Sequence, residues 1–522
     1  MLRKTRVALA FVCIVLVTLL FLDFTGTARY AFGWLAKIQF WPAVLALNIG
    51  VILALLVLTF LFGRVYCSII CPFGIFQDVI SRISGRFNKR RFRYSPALSW
   101  LRYTVLAIFV GAFSVNSFVV GAGVARAFVS LLSPYSAYGR IANGLFAPVY
   151  RVGNNLLAHF AERIDSYAFY SVDVIGYKGV MILVVPLVTL VVLAVLAWRN
   201  GRTYCNTICP VGTVLGFVSN YSLFKIRIDA DQCNQCGLCE RNCKASCIDS
   251  KIHTIDYSRC VACMNCMDGC RKKAISFVPA RKKQELVSAD HRVACMEAAP
   301  SKSLSRERGS GRTVHSRRHF FTATASVVLA SAVKAQDKKV DGGLAKIKDK
   351  VLPDRVTKLT PPGAISARHF ARQCTACQLC VSACPNHVLR LSDHWMTLMQ
   401  PETEYDRGYC RPECTKCSEV CPTGAIRPIT QEVETSLQIG HAVWVMEDCI
   451  VKRKGVKCGN CERHCPNGAI TMIASDPDDE DSLRFPSVDT ERCIGCGACE
   501  YVCPSRPFSA IYVVGHEVHR SV

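Results

Sequence analysis

No histidine lies in the long apolar runs of the first 200 residues, and no Cys-x2-Cys-His occurs anywhere in the chain. A membrane b-haem with two His ligands and covalently attached c-type haem are excluded on those grounds. A Walker A motif and a dinucleotide-type glycine fingerprint between strand and helix are missing as well, so NAD(P)H is not expected to deliver electrons directly. Acid is scarce: 39 Asp and Glu stand against 63 Lys and Arg, for a net charge of +24 with only 20% charged residues. What is abundant is apolar residue (51%) and cysteine, 31 in 522 residues. The long charge-free runs sit in the first 200 residues and the cysteines concentrate after Tyr204. That division excludes a plain soluble enzyme, a disordered chain and a short secreted disulfide scaffold, and leaves a multi-domain membrane metalloprotein.

Four stretches, 7–24, 41–62, 101–121 and 179–198, are long and apolar enough to read as bilayer spans. Arg3, Lys4 and Arg6 precede the first, and Arg64, Arg82, Arg86, Lys89, Arg90, Arg91 and Arg93 follow the second. Arg199 and Arg202 follow the fourth, whereas the stretch after the third mixes Arg126, Arg140 and Arg151 with Glu162, Asp165 and Asp173. The positive-inside rule then puts the N-terminus, the 63–100 loop and the chain after Trp198 in the cytoplasm. Basic residues gathered against spans, without an aromatic-basic groove, argue for anionic headgroups and against a nucleic-acid partner.

The pattern Gly-Arg-x-Tyr-Cys-x3-Cys-Pro-x-Gly occurs at 63–74 and again at 201–212, each copy following the second helix of a two-helix pair. Cysteines four apart share one face of a helical turn, so Cys67 with Cys71, and Cys205 with Cys209, can converge on one site. Three readings stay open: a metal or iron–sulfur centre shared between the halves, a pair of redox dithiols, or small buried cysteines packed as apolar residues.

Six four-cysteine runs carry the plainest chemistry. Cys233-x2-Cys236-x2-Cys239-x3-Cys243 and Cys260-x2-Cys263-x2-Cys266-x3-Cys270 form a first group. Cys374-x2-Cys377-x2-Cys380-x3-Cys384, Cys410-x3-Cys414-x2-Cys417-x3-Cys421, Cys449-x8-Cys458-x2-Cys461-x3-Cys465 and Cys493-x2-Cys496-x2-Cys499-x3-Cys503 form a second. In such bacterial ferredoxin runs three close cysteines hold one [4Fe–4S] cube and the fourth reaches the neighbouring cluster. Thiolate is the soft ligand this iron prefers, and zinc sites instead pair two separated Cys-x2-Cys halves. Six [4Fe–4S] clusters are the expectation. Cys243 precedes Lys244 and Cys270 precedes Arg271 where proline usually follows, and Cys247 is a second candidate for the reaching ligand. In the second group, two regular outer runs around two irregular inner ones suggest a nested pairing. Cys13, Cys247 and Cys295 are left without a shared role.

A Ser/Arg/Lys-rich linker at 281–315 leads into Ser316-Arg317-Arg318-His319-Phe320-Phe321 and a short run of small apolar residues ending near Ala335. This resembles a twin-arginine export leader with a cleavage site; the plainer alternative is a basic linker beside a buried short helix or fifth span. The expected organisation is an α-helical membrane domain at 1–224, four spans in a two-hairpin repeat, with α+β bacterial-ferredoxin-like domains at 225–280 (two clusters) and 337–522 (four clusters). The linker at 281–315 and the leader at 316–336 separate them. Asp23, Asn48, Asn116 and His159 are the candidate polar contacts for a membrane quinone, though each type more often ends or packs a helix.

Together these motifs resemble the ferredoxin-type subunits of periplasmic nitrate reductase systems. Residues 1–280 look like the NapH type, on the spans, Cys67/Cys71, Cys205/Cys209 and the two-cluster tail. Residues 316–522 look like the NapG type, on the twin arginine and the runs beginning at Cys374, Cys410, Cys449 and Cys493. Similar pairs, MauN and MauM, occur in methylamine utilisation. Here the two types are fused, so cleavage near Ala335 would release the second half. The resemblance implies an inner-membrane quinol dehydrogenase feeding electrons to a periplasmic c-type cytochrome or terminal reductase. The alternative is an accessory donor that keeps another enzyme's metal centre reduced, without quinol turnover.

Overall fold

A computed structural model describes residues 2–87, 92–118, 123–166, 169–172, 180–280, 340–341, 345–346, 350–479 and 482–521. The 281–315 linker, the 316–336 leader and Cys295 lie outside the described residues. The chain divides into two units, Met1–Val278 with Lys348–Val522, and Pro279–Ile347. In the second unit Val340–Asp341 pairs antiparallel with Ala345–Lys346. In the first, the helical part and both ferredoxin-like parts pack as one unit, although the sequence boundaries set them apart.

Among the described residues two helices, Leu2–Leu22 and Val180–Asn200, are long and apolar enough to cross a membrane. The stretch expected to span at 101–121 forms the helix Ser99–Phe118. The one expected at 41–62 is broken into Phe40–Leu45 and Ile49–Phe62. Leu47 takes a positive φ of 52° at the break, and Asn48 starts the second helix, its Oδ1 accepting from Val51 N at 3.2 Å. Asn is among the best N-cap residues, which is why the turn falls there. The stretch after the third apolar helix is itself helical: Gly123–Leu132, Pro134–Ile141 and Ala147–Glu162, with Tyr135, Tyr138 and Arg140 fully buried.

The two cysteine-rich parts meet opposite ends of these helices. At one end Arg3 pairs with Asp268, Arg102 donates to Ser258 Oγ at 3.1 Å, and Leu223 N donates to Phe60 O at 2.8 Å. At the other, Asn116 Nδ2 donates to Arg372 O at 3.2 Å, Asn143 Nδ2 to Gln378 Oε1 at 3.0 Å, and Ser130 Oγ to Thr375 O at 2.8 Å. Arg3 and Arg102 begin their helices and Asn116 ends one, so the helices run from the first ferredoxin part to the second.

Each pair of cysteine runs brackets a hairpin: Ile248–Asp249 with Thr254–Ile255, Leu389–Leu391 with Pro401–Thr403, and Ile470–Ala474 with Arg484–Val488. An antiparallel turn-back lays the run before it beside the run after it. The strand Leu437–Trp444 pairs antiparallel with Ile511–Ser521 and closes the last module. The cysteine-rich parts are therefore three two-run modules, one at 225–280 and two within 350–521.

Candidate iron–sulfur centres and the buried thiol site

In the four regular runs the residue on each side of the middle cysteine sits in the left-handed region: Gln235 and Gly237, Ala262 and Met264, Ala376 and Gln378, Gly495 and Gly497. Non-glycine residues adopt this conformation at a cost. Its recurrence has a reason, because such turns aim successive backbone N–H groups into one concavity that suits an anionic cluster. The third cysteine of each run then opens or joins a short helix, as in Leu238–Arg241, Asn265–Gly269, Leu379–Ala383 and Ala498–Val502. Backbone donors also reach sulfur directly: Ala469 N to Cys465 at 3.2 Å, Ala442 N to Cys493 at 3.4 Å, Ile426 N to Cys421 at 3.4 Å and Ala376 N to Cys374 at 3.5 Å. Thiolates with N–H groups aimed at them fit cluster ligands. Among the described residues all cysteines are free thiols, and no three His, Cys, Asp or Glu close on a single metal ion.

The structure also shows which fourth cysteine joins which run. Cys243 neighbours Cys260, Cys263 and Cys266, and Cys270 packs in the same core as Cys233 and Cys239. Cys421 neighbours Cys374, Cys377 and Cys380. Cys384 neighbours Cys410, Cys414 and Cys417. Cys465 lines a cavity with Cys493, Cys496 and Cys499, and Cys503 neighbours Cys461 and Cys458 in the core that holds Cys449. Five of the six fourth cysteines, Cys243, Cys384, Cys421, Cys465 and Cys503, thus lie against the run across their own hairpin. The nested pairing expected for the second group is overturned: the hairpins at 389–403 and 470–488 bring sequence neighbours together, whatever the regularity of their spacing.

The two repeat copies do converge. Cys67, Cys71, Cys205 and Cys209 are buried and mutually adjacent. The arginine of each copy crosses to the other: Arg64 Nη2 donates to Cys205 O at 3.0 Å, and Arg202 Nη1 to Cys67 O at 2.7 Å. Each guanidinium also lies 3.9 Å from a thiol, Arg64 from Cys67 and Arg202 from Cys205. Gln77 Nε2 donates to Cys205 Sγ at 3.2 Å, and Gly212 N to Cys209 Sγ at 3.4 Å. Burial pushes the Cys71, Cys205 and Cys209 thiols up, and the guanidiniums oppose it at Cys71 and Cys205. In the sequence the arginines read only as orientation charges; their place in the repeat, three residues before each first cysteine, is the available signal.

The closing glycines of the repeat explain why that position is glycine. A Cβ at Gly212 would collide with Cys205 O and stand 2.8 Å from Arg64 Nη2, and one at Gly74 would meet Cys67 O and Arg202 Nη1 in the same way. Gly212→Ala is expected to destabilise the thiol site by about 1–3 kcal/mol, as overpacking does. A thermal midpoint equal to that of the wild type would contradict this close fit.

The thiol site packs directly on the first module and connects to the second through intervening residues. Towards the first module, Arg64 Nη1 donates to Ser258 O at 3.0 Å and Arg202 N to Lys244 O at 2.9 Å, next to Cys260 and Cys243. Towards the second module, Tyr204 beside Cys205 donates to Leu132 O at 3.2 Å. Arg140 is held by Ser130 Oγ at 3.0 Å, and Gly139 packs against the Cys377 carbonyl. Three of the four polar residues considered for quinone are engaged otherwise. Asn48 caps a helix, Asp23 holds Thr25 N and Gly26 N at 2.9 and 2.8 Å, and Asn116 reaches the second module, while His159 is exposed on its helix.

A 4Fe-4S binding domain family matches residues 44–90 and 182–229, the two repeat copies, and a 4Fe-4S dicluster domain family matches 373–425 and 454–506. The latter pairs runs as the hairpins do. The ferredoxin-type protein MauM of Paracoccus denitrificans, described for methylamine utilisation, is 32% identical over 187 residues, 34% of this chain and 80% of that protein. MauM of Methylophilus methylotrophus is 34% identical over 151 residues, 28% of this chain and 66% of that protein. The ferredoxin-type protein NapG of Escherichia coli is 34% identical over 154 residues, again 28% and 66%. The chain thus spans just under two thirds of the latter two. No solved structure matches.

Proposed function

Because the chain belongs to the ferredoxin-type family of MauM and NapG and is an iron–sulfur electron-transfer protein, we propose that it is a quinol dehydrogenase of the bacterial inner membrane. In this reading four spans hold it in the bilayer, with the N-terminus and first module cytoplasmic and the modules within 350–521 periplasmic. It carries six [4Fe–4S] clusters and a further centre at Cys67, Cys71, Cys205 and Cys209, and it serves a periplasmic c-type cytochrome or terminal reductase.

The observation that carries the reading is the location of the buried thiol site between modules at opposite ends of the same helices. A protein serving one side of a membrane has no need of that arrangement. The helices support a bilayer in two further ways. Phe11, Leu53, Val57, Ile108, Val110, Val188 and Val191 expose apolar side chains on all four, a band too continuous for water. The end facing the first module collects Arg3, Arg6, Arg64, Arg102, Arg199 and Arg202, as a cytoplasmic end does. The twin-arginine leader would export the second part to the other face.

Clusters of this kind accept one electron at a time, whereas a quinol releases two electrons and two protons, so several centres in series suit the reaction. The cysteines hold these centres, Arg64 and Arg202 offset negative charge at the thiol site, and Tyr135, Tyr204 and Arg140 fill the space between it and Cys377, excluding water. With the protein purified anaerobically, a chemically reduced quinol is expected to bleach the clusters and produce their EPR signals. Reduction by dithionite but not by quinol would overturn the proposal in favour of an accessory donor fed by a protein.

A further inference from the structure

Five thiols line one cavity of the first module: Cys243, Cys247, Cys260, Cys263 and Cys266. Cys243 neighbours all three of the others in the run that begins at Cys260, and so completes that quartet. Cys247 stands behind it. Its Sγ lies 3.5 Å from Cys243 Sγ, and it stands beside Cys260. At 1% exposure it is closed to solvent.

The turn that presents Cys247 is fixed at every carbonyl. Lys244 O accepts from Arg202 N at 2.9 Å, Ala245 O from Asn206 Nδ2 at 3.4 Å, Ser246 O from Ser95 N at 3.3 Å, and Cys247 O from Asp256 N at 2.9 Å. The other five runs have Ala274, Val388, Ala425, Ala469 and Pro507 at the corresponding position, none able to donate to sulfur from its side chain. The extra thiol therefore belongs to one quartet, the one packed against the buried thiol site through Arg64 and Ser258.

We propose that Cys247 is not a ligand but a thiol hydrogen-bond donor to the ligand sulfurs of Cys243 and Cys260, raising the reduction potential of that one cluster. Reduction adds negative charge to the cluster and its sulfurs, and an S–H aimed at them stabilises the reduced form. Cys247 is thus a positioning residue that sets the level of the centre next to the thiol site. The inference rests on [4Fe–4S] binding by these runs and stands whether or not quinol is the donor.

The test is iron content and redox-poised EPR of the full chain, purified anaerobically, for Cys247→Ala and Cys247→Ser. Cys247→Ala is expected to keep the iron content of the wild type while one cluster titrates at lower potential and loses an exchangeable proton coupling. Cys247→Ser, which keeps a donor, is expected to fall between the two and remains readable if the alanine variant does not accumulate. Loss of one cluster's iron in either variant would make Cys247 a ligand and overturn the proposal. An unchanged titration in both would overturn it equally.

Discussion

Asp78→Asn is expected to destabilise the protein by about 3–5 kcal/mol, the range seen when one partner of a buried ion pair is removed. Asp78 follows the first repeat copy on the helix Pro72–Phe87, and its carboxylate is met by three cations. Arg202 Nε lies 2.7 Å from Oδ1, Lys244 Nζ 3.4 Å from Oδ1, and Arg6 Nη1 3.2 Å from Oδ2. Those cations come from the second repeat copy, the first module and the N-terminal helix, so one carboxylate joins four parts of the chain. Asn keeps the shape and removes the charge, leaving Arg202, whose side chain has no exposure, beside the other cations without a counter-ion. Burial by itself would raise the Asp78 carboxyl, but Arg202 first, then Lys244 and Arg6, hold it well below the usual carboxylate range. A depressed folded value means this stability is present above the unfolded value of about 3.9 and is lost as pH falls towards the folded one. The cost of Asp78→Asn should therefore be constant from pH 6 to 8. A double-mutant cycle with Lys244→Met, followed by thermal denaturation, checks it: additive losses would mean the cations do not share the carboxylate.

The cysteine runs, the repeat and the apolar stretches were legible because each is a local pattern with a chemical reason. Three things were not. The pairing of Cys384 with the Cys410 run depends on the hairpin at 389–403, whose strands have three residues each, too short for periodicity to announce. The helices within 123–162 read as a charge-mixed connection because Arg140 and Arg151 look like surface residues. In the structure both are buried, the Arg140 Nη1 and Nη2 groups donating to Ser130 Oγ and to the carbonyls of Ser130 and Leu131. The break at Leu47 and Asn48 falls inside a run whose hydropathy is unbroken, and only the capping side chain marks it. Cys247 reads from its spacing as a rival to Cys243, and spacing does not tell a ligand from a thiol placed behind one.

Replacing Cys67, Cys71, Cys205 and Cys209 together by Ser is expected to remove about four irons per chain, one cluster's worth, and to sever the second part of the molecule from the first. The shared arrangement makes a sharper demand. Cys67→Ser/Cys71→Ser alone should lose the same iron as the quadruple variant, because half of a quartet spread over two repeat copies does not hold a cube. Such non-additivity is the mark of residues that act as one site. The crossed arginines give the reason to expect it: Arg64 is fastened to Cys205 O and Arg202 to Cys67 O, so each half is assembled on the other. A dithiol pair predicts something different, with iron unchanged in every variant and electron passage lost in each half-variant separately. Packing alone predicts that neither changes. Iron per chain together with EPR of the 350–521 clusters after reduction at the first module separates the three. The shared centre fails if the half-variant keeps the iron that the quadruple variant loses.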